Sequence, residues 1–265
     1  MRYAACVEYD GSFFSGWQTQ KGNIRTVQSE VEKSLSKVAD SMVSIITAGR
    51  TDANVHASHQ IIHFDSNADR DIYSWYRGAN RFLAKDVRLK WVQEVDSEFH
   101  ARFSALNRSY RYIIYNQQVH SAIYRNHVSA VYQPLEVDKM SAAGKGLIGT
   151  HDFTSFRASG CQAHSPIRTM HKFEITSRGC WIWFDVTANA FLQHMVRNIA
   201  GALIEIGSGK KQVDWMTEVL NAKDRTQGGI TAPANGLYLV GVEYPDSFNI
   251  KSSYQSVAFW GDTDS

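Results

Sequence analysis

What most constrains the fold of this chain is the order in which its hydrophobic period changes along residues 2–95. From Arg2 to Tyr9 the pattern alternates, with Tyr3, Ala5, Val7 and Tyr9 on one side, which predicts a strand ended by Asp10-Gly11-Ser12. Val27, Val31, Leu35 and Val38 then recur at helical spacing, and Thr26 before them is a good N-cap. The β-branched run from Met42 to Ala48 predicts a second strand and Gln60 to Phe64 a third. Ile72, Trp75, Tyr76, Ala79 and Leu83 fit a second helix, and Val87 to Val95 a fourth strand. The order β-α-β-β-α-β is the ferredoxin-like arrangement.

The second half reads in a similar way. Tyr110 to Tyr115 predicts a strand, and Val137 to Ile148 a helix weakened by Gly144 and Gly146. His171 to Thr176 and Trp181 to Thr187 predict a hairpin around Ser177-Arg178-Gly179. Leu192, Val196, Ile199, Leu203 and Ile206 make a helical stripe, Asp214 to Leu220 a shorter helix, and Leu237 to Val242 a closing strand. The expectation is an α+β chain of two ferredoxin-like halves sharing an extended, mainly antiparallel sheet. Residues 1–104 form the first domain, 105–246 the second with insertions, and 247–265 a loose polar tail. No residue pattern is common to the two halves, so any repeat is architectural.

Bulk properties narrow the function classes. With 265 residues and 43% hydrophobic content, the chain can bury a core without disulfides or metals. A formal charge of +2 falls short of the basic footprint of a strong nucleic-acid binder, so composition alone does not disclose an RNA partner. Cys6, Cys161 and Cys180 are odd in number and far apart, which predicts buried free thiols in a reducing cytoplasm, with neither a disulfide framework nor a zinc ribbon. Glu8 and Asp10 interrupt the N-terminus too early for a signal peptide. No apolar run approaches the ~20 residues of a membrane-spanning helix.

The residues with chemical potential fall in three segments. In Ala48-Gly49-Arg50-Thr51-Asp52-Ala53-Asn54-Val55-His56, Arg50 and Asp52 flank one Thr on a Gly-opened loop between two predicted strands. Such an Asp either closes a turn on its own backbone or does chemistry, and the residues alone leave both open. In Arg108-Ser109-Tyr110-Arg111-Tyr112, basic and aromatic residues alternate on a strand. This describes a half-buried strand with a solvated basic face, or aromatics and arginines that hold a base and a phosphate. In the third segment Arg197 lies on an apolar helix, where a guanidinium needs a carboxylate: Glu205 or Asp185 structurally, Asp52 functionally. His56, His59 and His63 have spacings that would suggest a metal site on a helix, but they sit on or beside a predicted strand, where that spacing loses its meaning. No P-loop, dinucleotide fingerprint or nucleophile elbow is present.

Taken in order, these motifs resemble those of the tRNA pseudouridine synthases that act on the anticodon stem-loop, the TruA family. The resemblance runs through Glu8-Tyr9-Asp10-Gly11, Gly16-Trp17-Gln18, Val27-Gln28, the loop at 48–57 and Phe99-His100-Ala101-Arg102-Phe103-Ser104-Ala105. It continues with Tyr110-Arg111-Tyr112, His151-Asp152-Phe153-Thr154-Ser155-Phe156, the segment 188–198, Ala232-Pro233 and Gly236-Leu237-Tyr238-Leu239. It therefore covers residues 3–245. Two positions depart. Asn54 stands where the family usually has Gly, a substitution compatible with a left-handed turn. Residues 78–85 lack the Pro often found there, which implies a changed local turn.

The resemblance implies Asp52 as the catalytic aspartate, Tyr110 as the active-site tyrosine that stacks on the base and assists loss of the C5 proton, and Arg197 as the partner of Asp52. It implies Arg50 as the arginine that displaces the target base. It also implies a homodimer, tRNA as partner, uridines 38, 39 and 40 as targets, and no cofactor or metal. Arg102, Arg108, Arg111, Arg157 and Arg168 are candidates for contacts to the tRNA backbone. Whether Asp52 attacks the sugar or the base stays open. The rival readings are a non-catalytic RNA-binding module and a metal-dependent hydrolase built on His56, His59 and His63.

Overall fold

The computed structural model describes residues 1–22, 24–251 and 257. In chain order its main elements are β1 (Arg2–Tyr9), α1 (Val27–Ala39), β2 (Ile45–Thr47), β3 (His56–Asp65), α2 (Ile72–Phe82), β4 (Val87–Val95), β5 (Asn107–Asn116), β6 (Ser129–Val131), α3 (Val137–Lys145), β7 (Gly149–Asp152), β8 (Ile167–Arg178), β9 (Trp181–Ala188), α4 (Met195–Gly207), α5 (Trp215–Ala222) and β10 (Leu237–Glu243). This is a mixed α+β chain with mostly antiparallel strand pairing. It divides into two compact units, Met1–Leu106 with the chain from Tyr238 onward, and Asn107–Leu237.

In the first unit β1 is the central strand, antiparallel to β4 on one side and β3 on the other. The far edge of β3 is divided: β2 pairs antiparallel with residues 62–64, and β10 runs parallel beside His56 and Ala57. On one face Trp75 of α2 meets Tyr3 and Phe64 at ring-centroid distances of 5.4 and 5.1 Å. The α1–α2 contact is close, with Ser34 Oγ donating to the Ala79 carbonyl at 2.7 Å. Phe99 packs on Tyr244 and Phe248, and the Tyr244 hydroxyl donates to the Ala101 carbonyl at 2.6 Å. Arg2 fixes the approach to that segment, donating to Asp65 and to the carbonyls of Ser97 and Phe99.

Several expectations shift here. The run from Met42 to Ala48 is a strand only at Ile45–Thr47, and Met42 is almost fully exposed. The reason is local: Val43 N–H donates to Ser36 Oγ, so α1 takes that amide before the strand begins. The third strand is longer than predicted and buried along nearly its whole length, since both of its faces are covered. Of the five apolar positions assigned to α2, Trp75, Ala79 and Leu83 are buried, but Ile72 and Tyr76 are exposed. The strand from Leu237 runs parallel to β3 at His56 and Ala57. Residues 249 and 251 hydrogen-bond to Gln93 of β4, and most of the predicted polar tail beyond them lies outside the described residues.

In the second unit the strand order is β5-β9-β8-β7, all antiparallel, with β6 parallel to β5. Tyr112, Phe184 and Phe173 form a stacked column with spacings of 5.4 and 5.6 Å. Gly144 is where α3 approaches it, because a Cβ there would overlap the Phe173 ring. That explains a glycine inside a helix. The Asp152 carboxylate caps a 3-10 turn (Thr154–Phe156) by accepting from Thr154 N–H at 2.9 Å. Asn198 of α4 grips the same turn through the Phe156 carbonyl at 2.7 Å. Cys6 is buried, whereas Cys161 and Cys180 are only half-buried, and all three are free thiols.

Candidate active site

The loop between β2 and β3 is held by the backbone of the segment after β1. Trp17 N–H donates to the Thr51 carbonyl at 3.0 Å, and the buried Tyr9 hydroxyl lies 2.7 Å from Thr51 Oγ1. Gln60 of β3 donates through Nε2 to the Gly49 carbonyl at 2.6 Å. Within the loop, Val55 N–H closes on the Asp52 carbonyl at 3.2 Å. Two glycines allow this close wrapping: a Cβ on Gly11 would overlap the Val55 carbonyl, and Gly16 has φ +90° against Thr51 and Asp52. Asn54 has φ +64°, the left-handed conformation that Asn accepts more readily than most side chains. The backbone on both sides of Asp52 is therefore fixed, while its side chain is half-buried. Arg50 is exposed and makes no ion pair among the described residues.

The rest of the wrapping segment has the same role. Trp17 is buried against Tyr9 at 5.8 Å. Gln28 Oε1 accepts from Gln18 Nε2 and Thr19 N–H, and Arg25 makes a two-pronged ion pair with Asp86 at 2.7 and 2.8 Å. Tyr9 and Gln60 were not among the sequence candidates. The signal for Tyr9 was its place in E-Y-D-G, whereas Gln60 looked like an ordinary strand residue.

The histidines serve the fold. Gly11 N–H donates to His56 Nδ1 at 3.0 Å, and the His56 ring stacks on Tyr238 at 4.6 Å. Ala101 N–H donates to His63 Nδ1 at 3.0 Å. His59 Nδ1 lies 3.4 Å from Cys6 Sγ. Desolvation pushes His59 and His63 down to about 4 and the Cys6 thiol up to about 12, so both members of the Cys6–His59 pair are neutral. These three histidines do not converge as a ligand set among the described residues.

In the second unit Tyr110 lies on β5, mostly buried, with its ring edge-on to Phe191 at 5.0 Å. Arg197 is in the first turn of α4 and half-buried. Its Nε donates to the Ala232 carbonyl at 2.9 Å, which fixes the guanidinium. The helix dipole disfavours a cation at that end, and the first turn holds no acid.

The arginines proposed for backbone contacts differ in kind. Arg111 is buried in a two-pronged pair with Asp185 at 2.8 and 2.9 Å, so its charge is compensated within the sheet. That pair also occupies Asp185, one of the structural partners considered for Arg197. Arg157 donates to the carbonyls of Cys161 and Ala163, and Arg168 to those of Ser165 and Ile167, so both brace the loop at 157–167. Arg108 donates to the Asn189 carbonyl at 2.9 Å. Arg102 is exposed beside the exposed Phe103 ring.

With that geometry in place, comparison with known proteins is specific. The sequence model described as tRNA pseudouridine synthase matches residues 5–104 and 143–245. Arg50, Asp52 and Arg197 fall inside those spans, and Tyr110 falls between them. The chain is 52% identical over 260 residues to a protein of Nitrosococcus oceani named tRNA pseudouridine synthase A, covering 98% of this chain and 100% of that one. Proteins of the same name from Legionella pneumophila (strain Paris) and Buchnera aphidicola (strain APS) are 52% and 50% identical, covering 94% and 97% of this chain and 95% and 97% of theirs.

Proposed function

This chain belongs to the tRNA pseudouridine synthase family and isomerises uridine to pseudouridine in tRNA, and from that premise we propose that Asp52 is its catalytic carboxylate. The observation that carries the assignment is the held loop: the Gly49 and Thr51 carbonyls accept from Gln60 and Trp17, Asn54 N–H donates to the Phe14 carbonyl, and Thr51 Oγ1 meets the Tyr9 hydroxyl. Rate enhancement depends on holding a reacting group to within fractions of an ångström. A loop Asp that merely ended a turn would not need that much support.

The chemistry breaks the N1–C1′ bond of uridine, turns the base and forms C5–C1′; C5 loses a proton and N1 gains one. The target base must leave its stack before C1′ can be reached. Glycosidases use two carboxylates because one of them activates water or protonates a leaving group. Here the leaving group returns as the nucleophile and no water enters, so one carboxylate is sufficient. In this reading Arg50, exposed on a fixed backbone, displaces the base. Tyr110 stacks on it and assists loss of the C5 proton, and Arg197 keeps Asp52 ionised. The targets are uridines 38, 39 and 40, the protein is a cytoplasmic homodimer, and each half is ferredoxin-like. The order β4-β1-β3-β2 of the first four strands supports the last point for the first half.

Tritium release from tRNA labelled at uridine C5 tests the assignment. Wild type releases tritium, and Asp52→Ala releases none while retaining its fold. Undiminished release by Asp52→Ala would exclude the aspartate. No release by wild type from unmodified tRNA would favour a binding module.

A further inference from the structure

The α2 helix presents a face that the reaction does not use. Tyr73, Arg77 and Arg81 follow one another at i, i+4 and i+8, with Tyr76 alongside, and all four are exposed. Arg77 lies 5.5 Å from the centroid of Tyr73, and Lys37 of α1 lies 4.9 Å from that of the exposed Phe82. Tyr73 is 63% exposed and Phe82 46%. From Ile72 to Lys85 there is no Asp or Glu. Among the described residues Lys37, Arg77 and Arg81 make no ion pair. Exposed aromatics interleaved with unpaired cations do nothing for the fold: the helix is already anchored by Trp75, Ala79 and Leu83.

We propose that this α2 face is a docking surface for RNA, holding a part of the tRNA other than the target uridine. The argument is charge and chemistry together. RNA supplies a line of phosphates for Arg77 and Arg81 and unstacked or edge-exposed bases for Tyr73 and Tyr76. A second copy of this face would set its central cations against one another. The inference rests on tRNA being the substrate, and its test is built to fail separately from that reading.

The test uses Arg77→Glu/Arg81→Glu and Tyr73→Ala/Tyr76→Ala, each checked for an unchanged circular dichroism spectrum. The dissociation constant of an unmodified tRNA transcript is measured by filter retention over a series of salt concentrations, alongside KM and kcat. The charge-reversed pair weakens binding and raises KM at least about tenfold near 0.1 M salt, with kcat at saturation retained. Its log–log salt slope falls by about two, one per lost phosphate contact. The tyrosine pair weakens binding several-fold with the slope unchanged. Binding and slope equal to wild type in both variants overturn the proposal. So does a change in the particle mass of the charge-reversed protein, which would assign the face to a second copy. Because tRNA retention is read without turnover, an inactive wild type would sink the catalytic reading and leave this one standing.

Discussion

At the scale of single residues, the loop around Asp52 is held from both sides, and the contacts differ in what their loss should do. Tyr9 and Thr51 meet through one hydroxyl–hydroxyl contact of 2.7 Å in a buried setting. Tyr9→Phe and Thr51→Val should each lower kcat about tenfold with little change in KM, since both let the carboxylate drift without altering what binds tRNA. In the double variant the losses should not add, because one interaction cannot be removed twice. Steady-state kinetics on the four proteins measures this, and fully additive losses would show that the contact does not position Asp52. Asn54 makes a different prediction. Its φ of +64° suits Gly or Asn. Asn54→Gly should leave activity intact and stability within about 1 kcal/mol of wild type, whereas Asn54→Val should cost roughly 1–2 kcal/mol in denaturant unfolding. The tolerance of Asn was legible in the sequence because few side chains accept that conformation. The support from Gln60 was not, because nothing in a strand pattern says that one side chain reaches across to the Gly49 carbonyl.

At the scale of elements, local periodicity was a good guide wherever one face met a core. β1, α1 and β4 were legible for that reason, and Thr26 caps α1 as its position predicts, accepting from Ser29 N–H. The pattern misled where apolar residues serve the surface. Ile72 and Tyr76 of α2 fit the helical stripe yet stay exposed, because the stripe is wider than the groove between β1, β3 and α1 that Trp75 fills. The pairing of Arg111 was hidden for another reason. Alternation correctly places it opposite Tyr110 and Tyr112, but its cross-strand partner Asp185 lies 74 residues away, and register is a property of the pairing. Both groups of that pair are largely buried, with side-chain exposures of 7% and 14%. Removing one partner of a buried pair leaves the other charge uncompensated. Arg111→Ala should therefore cost about 3–5 kcal/mol. Arg111→Met with Asp185→Leu should recover most of that loss, since no charge is then stranded. Urea unfolding of the three proteins decides the matter, and a double variant less stable than Arg111→Ala would refute the account.

At the scale of the whole molecule, the least legible feature was the return of the chain: β10 runs beside β3, far from it in sequence. This pairing accompanies the burial of β3 along nearly its whole length, and Ala101 of the segment 96–106, on whose Phe99 both Tyr244 and Phe248 pack, donates its N–H to His63. That burial gives the protein a pH dependence with a definite sign. His59 and His63 are held neutral by desolvation at about 4, below the ordinary value near 6.5. The unfolded chain takes up protons that the folded chain refuses, so the stabilising contribution is complete above about pH 6.5 and is lost progressively as pH falls toward 4. The carboxylates act in a lower window. Asp65 is depressed by its hydrogen bond from Arg2, so its contribution is lost only as pH falls below the ordinary carboxylate value near 4. Between pH 7 and 5 the histidines should therefore dominate, lowering the unfolding free energy by on the order of 2 kcal/mol. His59→Leu removes one of these titrations and should make the decline with pH distinctly shallower, even if the variant is less stable at pH 7. Denaturant unfolding at intervals from pH 7.5 to 5 measures it. Parallel declines in wild type and variant would mean that His59 is protonated as readily in the folded protein as in the unfolded chain, and that its burial does not control the acid sensitivity.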